Sequence, residues 1–194
     1  MNMNPNPFVF FTELYEQFAL AGVPEPSAFT LATATPEGKP SARVLLLKEY
    51  DKEGFVFYTN LGSRKVKELQ SNPQAALCFY WEAIHYQVRV EGRVTQIPDA
   101  EADAYFASRP RGSQIGAWAS KQSAPLADRA ELERRFREVE EQFHGRDIPR
   151  PPFWSGFRLL PEQFEFWLRQ EDRLHERAVY IRENDGWKLQ LLYP

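Results

Sequence analysis

The chain has 194 residues, a length that fits one domain, and we expect residues 1–194 to form a single domain. Hydrophobic residues make up 43% and charged residues 26%, a balance typical of a globular protein with a substantial core. The formal net charge of −3 provides no cationic field that would favour nucleic acid, and no segment approaches the ~20 apolar residues that a membrane-spanning helix requires.

The first half of the chain changes from helical to strand periodicity. Residues 6–22 are predicted to form an amphipathic helix, because Phe10, Leu14 and Phe18 recur at helical spacing and Gly22 is a natural stop. Strands are predicted at 29–35, 41–50, 55–60, 74–81 and 85–96, with a short helix at about 63–69. Short strands joined by polar turns predict an antiparallel sheet or barrel.

The middle of the chain is predicted to be helical before strands return. Asp99 is a favourable N-cap for a helix that ends near Ser108, and the longest helix is predicted over 126–144. A proline-rich connector at 146–152 leads to strands at 156–160, 163–168, 177–182 and 187–192, the last two joined by a hairpin turn at 184–186. The predicted fold class is therefore mainly β with flanking helices.

Basic residues open the predicted helix at 63–69. Ser63 can cap that helix, and the free backbone N–H groups and the helix dipole favour an anion there, to which Arg64 and Lys65 add two positive charges. One interpretation is a phosphate site. The alternative is two exposed basic residues on a surface helix.

Arg43 and Lys48 bracket an apolar run in the second predicted strand. In one continuous strand their side chains would point to opposite faces, so that any ligand contacts would belong to different subsites. The alternative is that both are strand-end charges that reach water.

Three polar residues follow one another around the end of the helix that begins at Asp99. Tyr105 and Arg109 lie four residues apart and should share a helical face, and Ser113 follows a short turn. A phenol, a guanidinium and a hydroxyl that converge would suit a phosphate ester. The alternative is an ordinary helix end with a capping serine.

Arg173, His175 and Arg177 alternate near the C-terminus and would share one face of an extended segment. Three basic side chains in a row repel one another, which is costly away from water without an anion. They are therefore either a ligand-facing triplet or an exposed edge strand whose charge discourages aggregation.

Other motifs with well-known chemistry are missing from the sequence. There is no CxxC, no HExxH and no His/carboxylate cluster at metal-ligand spacing, so we expect no metal site. There is also no GxGxxG motif and no P-loop. With Cys78 as its single cysteine and an N-terminus unlike a signal peptide, the chain is expected to be cytoplasmic.

Several segments agree in order with one known family. They are 43–48 (RVLLLK), 57–65 (FYTNLGSRK), 108–123 (SRPRGSQIGAWASKQS), 153–158 (FWSGFR) and the C-terminal RLHERAVYIRENDGWKLQLLYP. Together, from about residue 28 onwards, they closely resemble pyridoxamine 5′-phosphate oxidase. The resemblance implies an antiparallel split β-barrel that works as a homodimer with flavin mononucleotide (FMN) at the subunit interface.

The resemblance also implies which residues bind the cofactor and the substrate. Positions that match FMN-binding residues of the family are Arg43, Val44, Leu45, Leu46, Leu47, Lys48, Tyr58, Thr59, Arg64, Lys65, Gln87, Gln122, Ser123, Trp167 and Arg177. Positions that match the substrate phosphate site are Lys48, Tyr105, Arg109 and Ser113. Arg173 and His175 match the catalytic residues that cover the substrate's pyridine ring and press it against the flavin.

The implied reaction oxidises pyridoxamine 5′-phosphate or pyridoxine 5′-phosphate to pyridoxal 5′-phosphate. Hydride passes from the substrate to the flavin, and dioxygen reoxidises the flavin with release of hydrogen peroxide. With the amine substrate, water hydrolyses the resulting imine and ammonia leaves.

The chain departs from the family pattern at two places. Residues 1–27 are expected to hold a helix and a shortened lid region, because the family usually has a longer N-terminal segment that closes over the substrate. The stretch 167–172 (WLRQED) replaces one that commonly carries glycine after the tryptophan. Two rival functions stay open: a related phenazine-biosynthesis flavoprotein that oxidises a larger substrate, and a non-catalytic module that binds flavin or haem.

Overall fold

The computed structural model describes residues 1 and 3–194, which form five α-helices and one nine-stranded sheet. The helices are α1 (Pro7–Leu20), α2 (Arg64–Ser71), α3 (Asp99–Ser108), α4 (Arg111–Ala119) and α5 (Arg129–Gln142). The strands are β1 (Ala28–Ala34), β2 (Pro40–Leu46), β3 (Glu49–Asp51), β4 (Gly54–Asn60), β5 (Gln74–Trp81), β6 (Tyr86–Gln96), β7 (Trp154–Leu168), β8 (Glu176–Glu183) and β9 (Gly186–Leu192). Short 3₁₀ turns occupy Glu82–Ile84 and Glu171–Arg173.

The long strand β7 is the junction of the sheet. Strands follow the order β2-β1-β5-β6-β7-β4-β3, and β8 pairs with both β7 and β9. The first part of β7 pairs with β4 and the last part with β8, and all of these pairings are antiparallel. The sheet therefore curls into an open barrel, and both the antiparallel barrel predicted from strand spacing and the split barrel implied by the family resemblance are confirmed.

Helix α1 supplies much of the apolar core. Asn6 accepts a hydrogen bond from the Phe8 N–H and Pro7 occupies the first helical turn, a favourable start for a helix. The Phe11 ring lies 4.9 Å from that of Phe55 and 5.2 Å from that of Phe79. Each fully buried Phe contributes about 1.5–3 kcal/mol, so the helix predicted over 6–22 is held to the sheet mainly by its apolar stripe.

The strand predicted at 41–50 is two strands, β2 and β3, separated at Leu47 and Lys48. The Leu47 side chain turns into the core, the Leu47 N–H donates to the Ser27 carbonyl, and the Lys48 N–H donates to the Val56 carbonyl. The chain thus passes from one strand partner to another. Because the strand is interrupted there, residue parity no longer relates Arg43 to Lys48, and their placement on opposite faces stays a prediction.

The strands predicted at 156–160 and 163–168 are a single strand, β7. Pro161 interrupts the alternation, and it lies opposite Gly92, where the β6–β7 register shifts. A Cβ atom on Gly92 would stand 2.0 Å from the Leu160 carbonyl oxygen, so only glycine permits this close approach. The proline therefore marks a bulge rather than the end of a strand.

Of the two helices that follow α3, one was not predicted and one was. α4 was not predicted, because Gly112 and Gly116 are poor helix formers and Arg109–Gly112 has the composition of a turn. α5 lies within the predicted range 126–144 and is capped by Asp128, which accepts from the Glu131 N–H at 2.8 Å.

Of the two predicted N-caps, the one at Asp99 is wrong and the one at Ser63 is confirmed in position. Asp99 is the first residue of α3, and Pro98 holds the cap position. Ser63 does hold the cap position of α2, but its hydroxyl makes no capping hydrogen bond.

Membrane-spanning helices and clusters of metal-ligating side chains were sought in the described part of the chain. No helix in residues 1 and 3–194 is long and apolar enough to cross a membrane. Over the same residues, no group of three or more His, Cys, Asp and Glu side chains is placed to hold a metal ion.

Candidate active site

The buried cation Lys65 lies in the first turn of α2 and is 6% exposed. Its Nζ donates to Thr59 Oγ1 at 3.0 Å and to Gln122 Oε1 at 3.1 Å, both of which are neutral acceptors. Burial and the nearby charge of Arg43 lower the pKa of Lys65 to about 8. A buried ammonium without a counter-charge is costly, so this arrangement favours an anion beside Lys65.

Other polar groups surround the same helix start. The Arg64 N–H donates to Ser123 Oγ at 3.3 Å, which draws the 120–123 segment against the N-terminus of α2. Ser63 Oγ is buried and has no hydrogen-bond partner among the described residues. An unpaired hydroxyl and two cations at a helix N-terminus are donors that suit a phosphate, so these residues fit a phosphate group.

A buried carboxylate joins the two arginines of this region. Glu68 Oε1 accepts from Arg64 Nε at 2.8 Å, and Glu68 Oε2 lies 3.5 Å from Arg43 Nη2. Desolvation lowers the pKa of Arg43, whereas the charge of Glu68 raises it in opposition. Glu68 was not among the predicted site residues, although its position four residues after Arg64 on a helix was a usable signal.

Arg43, Arg64 and Lys65 together form a basic cluster. A cleft of about 680 Å³ lies next to it. It brings together all four residues matched to the substrate phosphate site and several matched to FMN. The lining includes Lys48, Tyr105, Arg109 and Ser113 together with Leu45, Leu46, Tyr58, Thr59 and Gln122. Thr59 and Gln122 also hold Lys65, so the cleft and the basic cluster share a wall.

Aromatic rings form one side of the cleft. The Tyr58 and Tyr105 rings stack with centroids 3.9 Å apart, and Trp154 stacks on Tyr58 at 5.2 Å. The Arg109 guanidinium lies 4.8 Å from the Trp154 ring centroid, a cation–π contact. Trp154 was not among the predicted site residues, because its role depends on a neighbour that is distant in sequence.

Arg109 is a second desolvated cation that lacks a full set of partners. Its Nη1 is buried and has no hydrogen-bond partner within the described chain. Burial lowers the pKa of Arg109, with Tyr105 acting in opposition. The prediction that Tyr105 and Arg109 share a helical face is wrong, because α3 ends at Ser108 and Arg109 is extended. The cleft nevertheless contains both side chains.

Arg173 and His175 lie elsewhere, in a separate depression of about 840 Å³. His175 packs against Trp167 with the rings tilted and their centroids 4.5 Å apart, and its Nδ1 accepts from the Gln170 N–H at 3.1 Å. The Arg173 side chain is exposed. This depression shares no lining residue with the cleft that contains Arg109.

The prediction that Arg173, His175 and Arg177 share one extended face is wrong. Glu171–Arg173 form a 3₁₀ turn, Arg173 has a φ of 61°, and β8 begins only at Glu176. Arg177 alone lies in the strand, where it pairs with Glu165 at 2.7 Å. The turn removes the extended backbone on which the alternation of side chains depends.

The remaining predicted cofactor residues divide between the two regions. Gln87 is paired with Trp167 across β6 and β7, on the side of the second depression. Val44 is 65% exposed, whereas the Leu47 side chain is in the core, so only the backbone of Leu47 could meet a ligand. The structure therefore gathers one group of predicted residues around the cleft and another around Trp167.

Comparison with known proteins covers almost the whole chain. The family model described as "Pyridoxamine 5'-phosphate oxidase" matches residues 15–143, and that described as "Pyridoxine 5'-phosphate oxidase C-terminal dimerisation region" matches 154–194. A "Pyridoxine/pyridoxamine 5'-phosphate oxidase" of Myxococcus xanthus (strain DK1622) is 58% identical over 190 residues, which are 98% of this chain and 92% of that protein.

Two solved structures share the fold. PhzG from Burkholderia lata 383, solved in complex with tetrahydrophenazine-1-carboxylic acid, matches with a TM-score of 0.93 and 33% identity over 100% of this chain and 95% of that chain. A pyridoxamine 5'-phosphate oxidase-related, FMN binding protein from Nostoc punctiforme matches with a TM-score of 0.78 at 18% identity, over 99% of this chain and 100% of the other.

Proposed function

This chain belongs to the pyridoxamine 5′-phosphate oxidase family, and from that membership we propose that it oxidises pyridoxamine 5′-phosphate or pyridoxine 5′-phosphate to pyridoxal 5′-phosphate with FMN as cofactor. The observation that carries the proposal is a pair of desolvated cations. Arg109 lines the cleft, and Lys65 is bonded to Thr59 and Gln122 in the wall of the same cleft. Two separate anion sites are what a phosphorylated substrate beside a phosphorylated flavin needs.

In this proposal the cofactor is held from both regions of the chain. Arg43, Arg64, Lys65 and Ser123 bind the flavin phosphate, while Gln87, Trp167 and Arg177, in the separate region around Trp167, contact the flavin from the other subunit of a homodimer. When bound there, FMN would supply the hydride acceptor and the means of passing electrons to dioxygen, which would give hydrogen peroxide. The protein contributes position and electrostatics.

The substrate is held by its phosphate and by its ring. Lys48, Tyr105, Arg109 and Ser113 bind the phosphate, and the N-terminal end of α4 beside Ser113 adds a favourable dipole. Arg173 and His175 orient the pyridine ring. Because they line a separate depression of the chain, we propose that they reach the cleft of the other subunit in a homodimer, and the match of 154–194 to a dimerisation region supports this arrangement.

A peroxide assay on flavin-loaded protein tests the function. Pyridoxamine 5′-phosphate and pyridoxine 5′-phosphate should each give hydrogen peroxide and pyridoxal 5′-phosphate in equal amounts. The unphosphorylated vitamers should react poorly, because they leave Arg109 without its anion. A flavin-loaded protein that turns over neither phosphate would refute the proposed reaction and leave a flavin-binding module as the better description.

A phenazine-type oxidase is the second candidate, favoured by the TM-score of 0.93 with PhzG. The basic lining of the cleft favours a phosphorylated substrate instead. The same peroxide assay with tetrahydrophenazine-1-carboxylic acid separates the two candidate functions. A higher kcat/KM for that compound than for either B6 phosphate would favour the phenazine-type oxidase.

A further inference from the structure

Glu68 is an ionised group buried behind the basic cluster at the start of α2, with its side chain only 5% exposed. Its Oε2 accepts hydrogen bonds from Thr33 Oγ1 and Ser41 Oγ, each at 2.5 Å, and its Oε1 accepts from Arg64 Nε at 2.8 Å. A carboxylate in such surroundings is tolerated only when its lone pairs are satisfied, as they are here.

The two hydroxyl groups also connect Glu68 to Arg43. Arg43 Nη1 donates to Thr33 Oγ1 at 2.6 Å, and Arg43 Nη2 donates to Ser41 Oγ. Each hydroxyl thus accepts from Arg43 and donates to Glu68, which completes a closed network. The direction of every bond in it depends on an ionised acceptor at position 68.

The network leaves part of Arg64 available. Its Nε is used by Glu68, whereas its side chain is 64% exposed and its guanidinium is held at one edge only. An arginine anchored through Nε can present both Nη groups to an oxyanion in a bidentate fashion. Glu68 therefore limits the orientations of Arg64 without blocking its binding edge.

Charge balance gives Glu68 a second effect. Arg43 lies close enough to Lys65 and to Arg64 for the like charges to disfavour one another. Burial acts to raise the pKa of Glu68, but hydrogen bonds from Ser41 and Thr33, with the bond and charge of Arg64, lower it to about 2. The carboxylate is thus negative at every physiological pH and offsets the repulsion among the three cations.

We infer that Glu68 is a positioning residue for cofactor binding, which holds Arg43 and Arg64 in the geometry that receives the flavin phosphate. The inference rests on the proposed function, because it takes FMN as the ligand of this cluster. The competing possibilities are that Glu68 only anchors α2 to β1 and β2, or that its negative charge weakens phosphate binding.

The test compares FMN with riboflavin, which lacks the phosphate, on protein stripped of flavin. Affinities are measured by quenching of flavin fluorescence for wild type and for Glu68→Gln, which keeps the shape of the side chain and removes its charge. We expect the affinity for FMN to fall about tenfold or more, as for the loss of charged hydrogen bonds, and that for riboflavin to stay the same. Asp103 lies on α3 and pairs with Arg150, so Asp103→Asn removes a carboxylate outside the basic cluster. This variant is the matched control and should change neither affinity.

Three outcomes would overturn the inference. An unchanged or tighter affinity for FMN in Glu68→Gln would show that the charge does not help the phosphate. An equal loss for both flavins would show a purely structural role. Wild-type protein that binds FMN no better than riboflavin would remove the proposed phosphate site itself, and the inference with it.

Ser41→Ala provides a second variant that retains the carboxylate, in case Glu68→Gln does not fold. It removes one of the two hydroxyl groups between Arg43 and Glu68. A smaller loss of affinity, confined to FMN, is expected. An equal loss for FMN and riboflavin would again contradict a positioning role.

Discussion

Lys65 is a cation whose charge depends on pH in the range where enzymes are usually assayed, since its pKa is lowered to about 8. Below that pKa the ammonium is charged and attracts a phosphate dianion, and above it the attraction is lost. The affinity for FMN should therefore fall as pH rises through about 8 to about 9.5, while the affinity for riboflavin stays level. Flavin titrations at several pH values measure both.

Lys65→Arg is the control for this pH dependence. A guanidinium stays charged over the whole range, so the variant should bind FMN with little change between pH 7 and about 9.5. Wild-type protein whose affinity for FMN does not change with pH would contradict the assignment of Lys65 to the phosphate.

Arg109 is predicted to act on substrate binding rather than on flavin. Arg109→Ala should raise KM for pyridoxine 5′-phosphate by about 10- to 150-fold, because a charged hydrogen bond is worth roughly 1.5–3 kcal/mol. Steady-state peroxide kinetics measure the change. Arg134→Ala, at an exposed position on α5, should leave KM unaltered, and an unaltered KM in Arg109→Ala would remove Arg109 from the phosphate site.

The bulge between β6 and β7 is the element that most depends on one residue. Gly92→Ala would place a Cβ atom 2.0 Å from the Leu160 carbonyl oxygen, and backbone on both strands would have to shift. Overpacking of this kind costs about 1–3 kcal/mol, or roughly 2–12 °C in Tm for a chain of this size. Thermal unfolding followed by circular dichroism measures the difference.

Gly112→Ala is the matched control for the bulge. A Cβ atom there meets nothing within 4 Å, and alanine is the better helix former in α4. Its Tm should equal or slightly exceed that of wild type. Equal Tm values for both alanine variants and wild type would mean that β6 and β7 do not need their close approach.

Element prediction succeeded where periodicity was clean and failed where a break had a tertiary cause. The helix at 6–22 and the strands at 55–60 and 74–81 were found, since apolar residues recur there at regular spacing. β7 was divided because Pro161 resembles a strand end, and only the bulge opposite Gly92 explains its place. α4 was missed because its two glycines weaken the helical pattern.

At the scale of the whole molecule, the two halves of the predicted site lie in separate depressions of one chain. A homodimer that joins one half from each subunit makes a specific prediction for mixed variants. Arg173→Ala should retain FMN but lose most of its turnover. Arg109→Ala should have little activity at low substrate concentration, because its KM is raised. The two variants are then unfolded together and refolded. In a mixed dimer, Arg109 of one subunit and Arg173 of the other form one intact site, and the second site lacks both.

Random association makes half of the dimers mixed, so about a quarter of the wild-type activity should return at low substrate concentration. Each variant refolded alone is the control and should show no recovery. Absence of any recovery in the mixture, despite dimers of mixed composition, would mean that both residues serve the same site from one chain.

The sequence by itself determined the local chemistry and the family: the helix and strand periodicities, the basic start of α2, and motifs that agree in order over most of the chain. These features depend on neighbours a few residues apart. The tertiary structure decided which of them meet. It placed Arg173 in a left-handed turn outside the strand that holds Arg177, set Trp154 against Arg109, and buried Glu68 behind Arg43 and Arg64. Apart from the Arg64–Glu68 pair, which is local to α2, these contacts join residues on different strands and helices, and burial lowers the pKa of cations such as Arg109, so patterns along the chain do not specify them.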